Sequence, residues 1–193
     1  MSASQTSFAA APICLFVYGV CYLLDGQQGF HGPGIYWTIG HIFFVLAFIA
    51  FALTAWELKN HVGDGMKRRF AVVAAFLAIL GIAVFVRVGG IDIATGILAP
   101  DHGAMAPISK QLNNWPDARL LPWWRLGPAL FQVGLTSLLV QLAFVRRLPL
   151  WSPIAVLLGF VAIGYNLNLM VAGAVLIGVG FFPFIRERNS LTV

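Results

Sequence analysis

Residues 35–57, IYWTIGHIFFVLAFIAFALTAWE, decide the fold of this chain. The stretch contains no Lys, Arg or Asp, and its one carboxylate, Glu57, stands at its last position. A helix needs about 20 mostly apolar residues to cross the hydrocarbon core of a bilayer, and this stretch is long enough. Residues 35–57 are therefore predicted to form a transmembrane helix.

Similar apolar runs recur along the rest of the chain. Of its 193 residues, 60% are hydrophobic and only 10% are charged, whereas roughly a quarter of the residues of a soluble domain are charged. Because so apolar a chain cannot face water over most of its surface, the bilayer is its expected solvent. We predict an all-α polytopic transmembrane bundle of about six helices, in a single membrane domain over residues 1–193. The predicted spans are residues 8–24, 35–57, 69–87, 126–145, 150–166 and 169–185.

The last two spans are separated only by the polar interruption Tyr165-Asn166-Leu167-Asn168. Residues 150–185 are otherwise strongly apolar and too many for one untilted span. We predict a tight hairpin at the interruption. A single long kinked helix with an interfacial piece is the alternative.

Charge predicts the orientation, because cytoplasmic loops collect Lys and Arg. With the N-terminus inside, the inner face holds eight cations against three carboxylates, a net charge of +5, and the outer face holds four of each. Both termini of this multi-pass membrane protein are thus predicted to be cytoplasmic. The cations stand at helix ends without interleaved aromatic residues, so no nucleic-acid partner is expected. The inner cations are Lys59, Lys67, Arg68, Arg69, Arg146, Arg147, Arg186 and Arg188.

Ionisable and amide side chains in or beside the spans are the candidate functional residues, since polar groups are costly in hydrocarbon. His41 lies about six residues into the second span, where it could titrate or bind a substrate by a hydrogen bond. Arg87, at the end of the third span, could attract an anion or neutralise Asp92. The alternative is that His41 is a packing residue and that the others are ordinary solvated helix ends. The predicted ligand-binding residues are His41, Arg87, Asp92, Asp25 and Asn166, all on the outer side.

The longest connection, residues 89–125, is predicted to contain a short interfacial or re-entrant helix. Residues 91–98 follow Gly89-Gly90 and carry apolar residues on one helical face. Four prolines then divide the chain, which favours an ordered lid over the bundle.

No metal and no cofactor is predicted. The sequence contains no HxxxH, HxxE or CxxC spacing, and His41 is the only histidine inside a predicted span, so it lacks a second histidine with which to hold a haem.

The leading functional hypothesis is a transporter or accessory membrane subunit that binds a small-molecule or lipidic ligand at its outer mouth and contacts membrane lipid. One alternative is a membrane-embedded enzyme that acts on a lipid or isoprenoid. Another is an interaction subunit whose Gly-rich final helices bind a second copy or a partner membrane protein. Whether the protein is an enzyme stays open at this point.

Overall fold

The computed structural model describes residues 3–114 and 126–186, and within these residues it is built from α-helices without a strand. Arg188, one of the predicted inner cations, and residues 115–125 of the predicted long connection lie outside the described ranges. The helices are α1 (Ala3–Asp25), α2 (Ile35–Leu58), α3 (Met66–Leu98), α4 (His102–Asn113), α5 (Gly127–Phe144), α6 (Trp151–Tyr165) and α7 (Met170–Arg186).

The predicted all-α polytopic membrane bundle is confirmed. Five helices, α1, α2, α3, α5 and α7, are long and apolar enough to cross a membrane. The sixth apolar helix, α6, has 15 residues, and α4 is a short helix in the long connection between α3 and α5.

The six apolar helices are arranged as an open ring. α1 packs against α2 on one side and α7 on the other, α2 packs against α3, α3 against α5, and α6 against α7. The remaining neighbours, α5 and α6, have far fewer contacts with each other than any of these pairs. The contact between α5 and α6 is called the seam below.

The two ends of the bundle differ in composition. The loops at residues 59–65 and 145–150 come together at one end, where His61 also lies 6.2 Å from the ring of Phe184 near the end of α7. We call it the basic end, because it gathers the described Lys and Arg residues predicted to be on the inner face. The other end is formed by residues 25–34, 99–114 and 166–169, and we call it the histidine end because His31 and His102 lie there.

Glycines bring two pairs of helices unusually close. A Cβ atom added to Gly134 of α5 would lie 2.4 Å from the backbone nitrogen of Ala78 on α3, and one added to Gly159 of α6 would lie 2.6 Å from the carbonyl oxygen of Gly173 on α7. Small residues permit such close approach in lipid, where hydrophobic burial gives little drive for association. These glycines therefore serve contacts inside the bundle.

The prediction of a separate helix at residues 91–98 is wrong. Those residues continue α3, which runs without a break from Met66 to Leu98. Gly89 is a packing position, since a Cβ there would lie 2.7 Å from Val45 on α2. The short helix of the connection is α4 instead, and the carboxylate of Asp101 accepts the N–H of Ala104 at 2.9 Å to cap it.

The hairpin between the last two spans is confirmed, and the single kinked helix is wrong. α6 ends at Tyr165, Asn166 is extended, and α7 begins at Met170 after one turn of 3-10 helix. The side-chain oxygen of Asn166 accepts the N–H of Asn168 at 2.9 Å. This local bond stabilises the turn in place of a helical one.

Candidate ligand cavity

A cavity of about 750 Å³ lies among the six apolar helices, in the half of the bundle next to the histidine end. Its volume falls within the roughly 300–1,000 Å³ that is usual for small-molecule sites. Most of its lining is aromatic or aliphatic. The polar lining residues are Tyr18, His41, Asp92, Gln132, Tyr165 and Asn166.

Phenylalanines form the wall of the cavity that faces the basic end. The rings of Phe48 and Phe85 are stacked with centroids 4.1 Å apart, and Phe131 meets Phe160 edge to face at 5.2 Å. Phe51, one helical turn closer to the basic end than Phe48, is fully buried. The aromatic cluster thus separates the cavity from the densely packed half of the bundle.

His41 is held in one orientation by its own helix. It is 6% exposed, and its Nδ1 atom lies 2.8 Å from the carbonyl oxygen of Trp37, one turn earlier on α2. Because a carbonyl oxygen can only accept, Nδ1 must carry the proton and donate it. The other ring nitrogen, Nε2, is therefore the atom left to meet a partner.

That partner is Asp92 on α3. Its Oδ2 atom lies 3.6 Å from Nε2 of His41, and its side chain is 27% exposed. The distance suits an ion pair but exceeds that of a direct hydrogen bond. A hydroxyl oxygen about 2.8 Å from both atoms would have to lie to one side of the line that joins them, donating to one atom and accepting from the other.

Trp37 positions both members of this pair. Its indole nitrogen donates to the backbone carbonyl oxygen of Asp92 at 2.8 Å, and its ring lies 4.2 Å from that of His41. Gly96 lets α3 come near enough for this bond, since a Cβ there would lie 2.4 Å from the Trp37 ring. One tryptophan thereby fixes the spacing of α2 and α3 beside the cavity.

Of the five predicted ligand-binding residues, the structure brings three to the cavity: His41, Asp92 and Asn166. Asn166 is an exposed residue at its rim, and its side chain also supports the hairpin. A ligand-binding role for these three residues stays a prediction.

Asp25 belongs to a separate cluster at the histidine end. Its carboxylate accepts the N–H of Gly32 and lies 3.2 Å from Nδ1 of His31. His31 is stacked on Tyr22, and its carbonyl oxygen lies 2.7 Å from Nδ1 of His102 on α4. This cluster fastens the loop after α1 to α4, and its residues are not among the described lining of the cavity.

Arg87 also points elsewhere. One of its guanidinium nitrogens, Nη2, donates to the carbonyl oxygen of Asn113 at 3.1 Å, which connects α3 to the end of α4. Among the described residues that line the cavity, Arg87 does not occur.

Three residues of the site were not predicted from the sequence: Trp37, which lies beside the cavity, and Gln132 and Tyr18, which line it. Trp37 lies four residues before His41 and therefore on the same helical face, and this spacing was the signal that could have identified it. Gln132 is an amide inside the predicted span 126–145, and the criterion that selected Asn166 could also have selected it. Tyr18, whose ring lies 5.3 Å from that of His41, gave no distinct signal in α1.

Within residues 3–114 and 126–186, no three His, Cys, Asp or Glu side chains lie close enough together to hold a metal ion. The His41–Asp92 pair offers hydrogen bonding and proton exchange to a molecule in the cavity, whose walls are otherwise mostly apolar.

Comparisons with other proteins leave the function to be argued from this site. No known protein family matches the chain, and no curated protein or solved structure is similar to it.

Proposed function

We propose that this membrane protein binds a small, largely apolar molecule in the cavity and holds the polar group of that molecule at His41 and Asp92. The observation that carries the proposal is the position of this pair, at the polar end of an aromatic cavity within the membrane-spanning part of the bundle. Apolar walls with a few convergent polar groups are typical of small-molecule sites.

Stability alone does not explain the His41–Asp92 pair. Taking two ionisable groups out of water is costly, and apolar residues of similar size are often as stabilising. The link between α2 and α3 is already supplied by the Trp37 bond to Asp92 and by close packing at Gly89. Ligand recognition gives the pair a use that packing does not require.

We further propose that both termini are cytoplasmic, so that the cavity lies nearer the outer side. The support is the gathering of cations at the basic end, together with the preference of Lys and Arg for cytoplasmic loops. Single cysteines at Asp64 and Gly29, in a variant lacking Cys14 and Cys21, test it with a membrane-impermeant maleimide. In intact cells we expect labelling at position 29 and none at position 64; the reverse pattern contradicts the orientation.

A direct test of binding uses farnesol as the probe, an apolar chain with one hydroxyl. Native mass spectrometry of the detergent-purified protein is expected to show a one-to-one farnesol adduct. His41→Gln and Asp92→Asn should each weaken binding about tenfold or more, because each leaves a buried partner poorly satisfied.

The chain provides a matched control for the histidine. His61 makes the same bond to the carbonyl four residues earlier, with Nδ1 3.1 Å from the oxygen of Glu57, but it is exposed at the basic end. His61→Gln should leave farnesol binding unchanged. Equal effects of the two histidine substitutions, or a wild-type protein that retains neither farnesol nor any co-purified small molecule, contradict the proposal.

A second candidate function is a membrane-embedded enzyme that moves a proton on a lipid substrate in the same cavity. The observation in its favour is that His41 Nε2 and the Asp92 carboxylate face each other beside the void, as an acid–base pair would. Incubation of the bound probe with the protein distinguishes the two functions, since an enzyme returns an altered molecule and a binding protein or transporter returns the same one.

A further inference from the structure

The seam between α5 and α6 is where the cavity meets the outside of the ring. α5 is held tightly against α3 and α6 against α7 through glycine contacts, whereas α5 and α6 meet through the rings of Phe131 and Phe160. On the histidine-end side of these rings, both helices contribute lining residues, and the cavity lies between them. On α5 these residues are Pro128 and Ala129, with Gln132 at the level of Phe131, and on α6 they are Ile163, Gly164 and Tyr165.

Gly164 lies beside open space between α5 and α6. Within the part of the chain that the structure describes, a Cβ atom added to Gly164 would meet nothing within 4 Å, whereas one added to Gly159, on the same helix, would collide with α7. Since the seam lies between neighbours in the ring, it faces away from the bundle axis and toward the bilayer. A chain-like molecule dissolved in the hydrocarbon can therefore reach the cavity sideways.

The charges around the cavity restrict which polar head group a lipid-like ligand can have. No Lys or Arg of the described residues lines it. Most described cations lie at the basic end, Lys110 lies on α4, and Arg87 is directed to Asn113. A phosphate or carboxylate in the cavity would thus face Asp92 without a compensating cation, which is unfavourable away from water.

The His41–Asp92 pair is itself balanced. Nδ1 of His41 donates its proton to the carbonyl oxygen of Trp37. The pair holds one further proton, either on Nε2 or on the Asp92 carboxylate, because an isolated charge of either sign is costly here. Whether that proton resides on the imidazole or on the carboxylate, the pair is neutral overall. It offers one donor and one acceptor, which complement a hydroxyl group.

From these observations we infer that the ligand is a single-chain lipid with a neutral hydroxyl head, which enters the cavity from the bilayer between α5 and α6 and places its head at His41 and Asp92. The inference rests on the proposed binding function and adds to it the class of ligand and the route. A charged amine head is disfavoured, because it would have to displace the proton of the pair that already balances the charge of Asp92.

The head preference is tested with probes that share one isoprenoid tail. Farnesol, farnesoic acid, farnesyl phosphate and farnesylamine are titrated against the wild-type protein in nanodiscs, with empty nanodiscs subtracted. Farnesol is expected to bind about tenfold or more tightly than each charged probe, which corresponds to the cost of one poorly matched polar group. Equal or tighter binding of any charged probe overturns the neutral head while leaving the binding function intact.

The route is tested by the rate at which tritiated farnesol moves from liposomes to the protein in nanodiscs held on an affinity resin. Gly164→Phe adds a ring at this lining position, where an added Cβ meets nothing within 4 Å in the described part of the chain. The matched control is Val161→Phe, one turn earlier on α6 at an exposed position that does not line the cavity. We expect Gly164→Phe to slow association and dissociation together, by about tenfold, and the control to change neither.

The results separate the two proposals. If farnesol binds but Gly164→Phe leaves both rates unchanged, the route between α5 and α6 is overturned and the binding function stands. Ala129→Phe, on the α5 side of the same gap, repeats the measurement should Gly164→Phe fail to fold. If no probe of any head binds, both proposals fall.

Discussion

The two halves of the bundle are made from the same helices but are packed differently. Toward the basic end, side chains such as Leu58, Leu138 and Leu142 are completely buried, as in a close-packed interior. Toward the histidine end, the helices surround a cavity of about 750 Å³ that contains the His41–Asp92 pair. The packed half therefore has the contacts that supply stability, whereas the other half has fewer of them around the cavity that we propose as a ligand site.

The largest effect on stability is expected where a substitution adds a methyl group to a tight contact between two helices. Gly134→Ala should lower the free energy of unfolding by about 2–3 kcal/mol, because its Cβ would press on backbone atoms of α3 that cannot move aside. Gly164→Ala is the matched substitution at the cavity, where space is open, and should be neutral or stabilise by up to about 1 kcal/mol. Unfolding in mixed micelles measures both, and equal losses would contradict the distinction between the halves.

An intermediate effect on stability is expected when one member of the His41–Asp92 pair is replaced. His41→Leu alone should cost about 2 kcal/mol of unfolding free energy, since it leaves the partly exposed Asp92 without its partner. Combining it with Asp92→Leu should restore stability to within about 1 kcal/mol of the wild type, because no unpaired charge remains.

Farnesol binding by these variants sharpens the comparison. Both the single variant and the double variant should lose farnesol binding. The double variant should therefore be nearly as stable as the wild type and yet fail to bind farnesol. A double variant whose loss of unfolding free energy equals the sum of the His41→Leu and Asp92→Leu losses would show instead that the two side chains contribute independently and are not coupled as a pair.

The smallest effect is expected at the cluster outside the cavity. Asp25→Asn removes the ion pair with His31 and weakens the anchoring of the loop to α4, at a cost of about 0.5–1 kcal/mol. Backbone amides of residues 26–34 should exchange with deuterium faster, as measured by mass spectrometry. Farnesol affinity should stay within about twofold of the wild type; a large loss would assign Asp25 to the ligand site.

Much of the fold could be predicted because the requirement for an apolar span is local. α2 follows from its own composition, and the hairpin at Asn166 follows from the one polar interruption in its region. The break expected after Gly89-Gly90 was wrong for a physical reason. Glycine is an ambiguous signal in lipid, since it can end a helix or admit a neighbouring one, and Gly89 does the second against Val45.

The candidate site was predicted only in part. His41 was identifiable because an ionisable residue within a span is costly wherever it faces. Asp25 and Arg87 were grouped with it because they share a side of the membrane, yet the structure gives each a different partner. Two residues at the same predicted depth in the membrane need not be in contact, because depth does not determine which helices are neighbours.

The sequence by itself therefore determined the all-α membrane class, the six apolar helices and the gathering of cations in particular loops, because each follows from the free energy of placing one segment in hydrocarbon or water. Only the tertiary structure decided that Trp37 bonds to Asp92, 55 residues away, that Asp92 faces His41, and that the ring is loosest between α5 and α6. These features depend on how helices cross and how closely their small residues let them approach. Such contacts join residues distant in the chain, and no single segment encodes them.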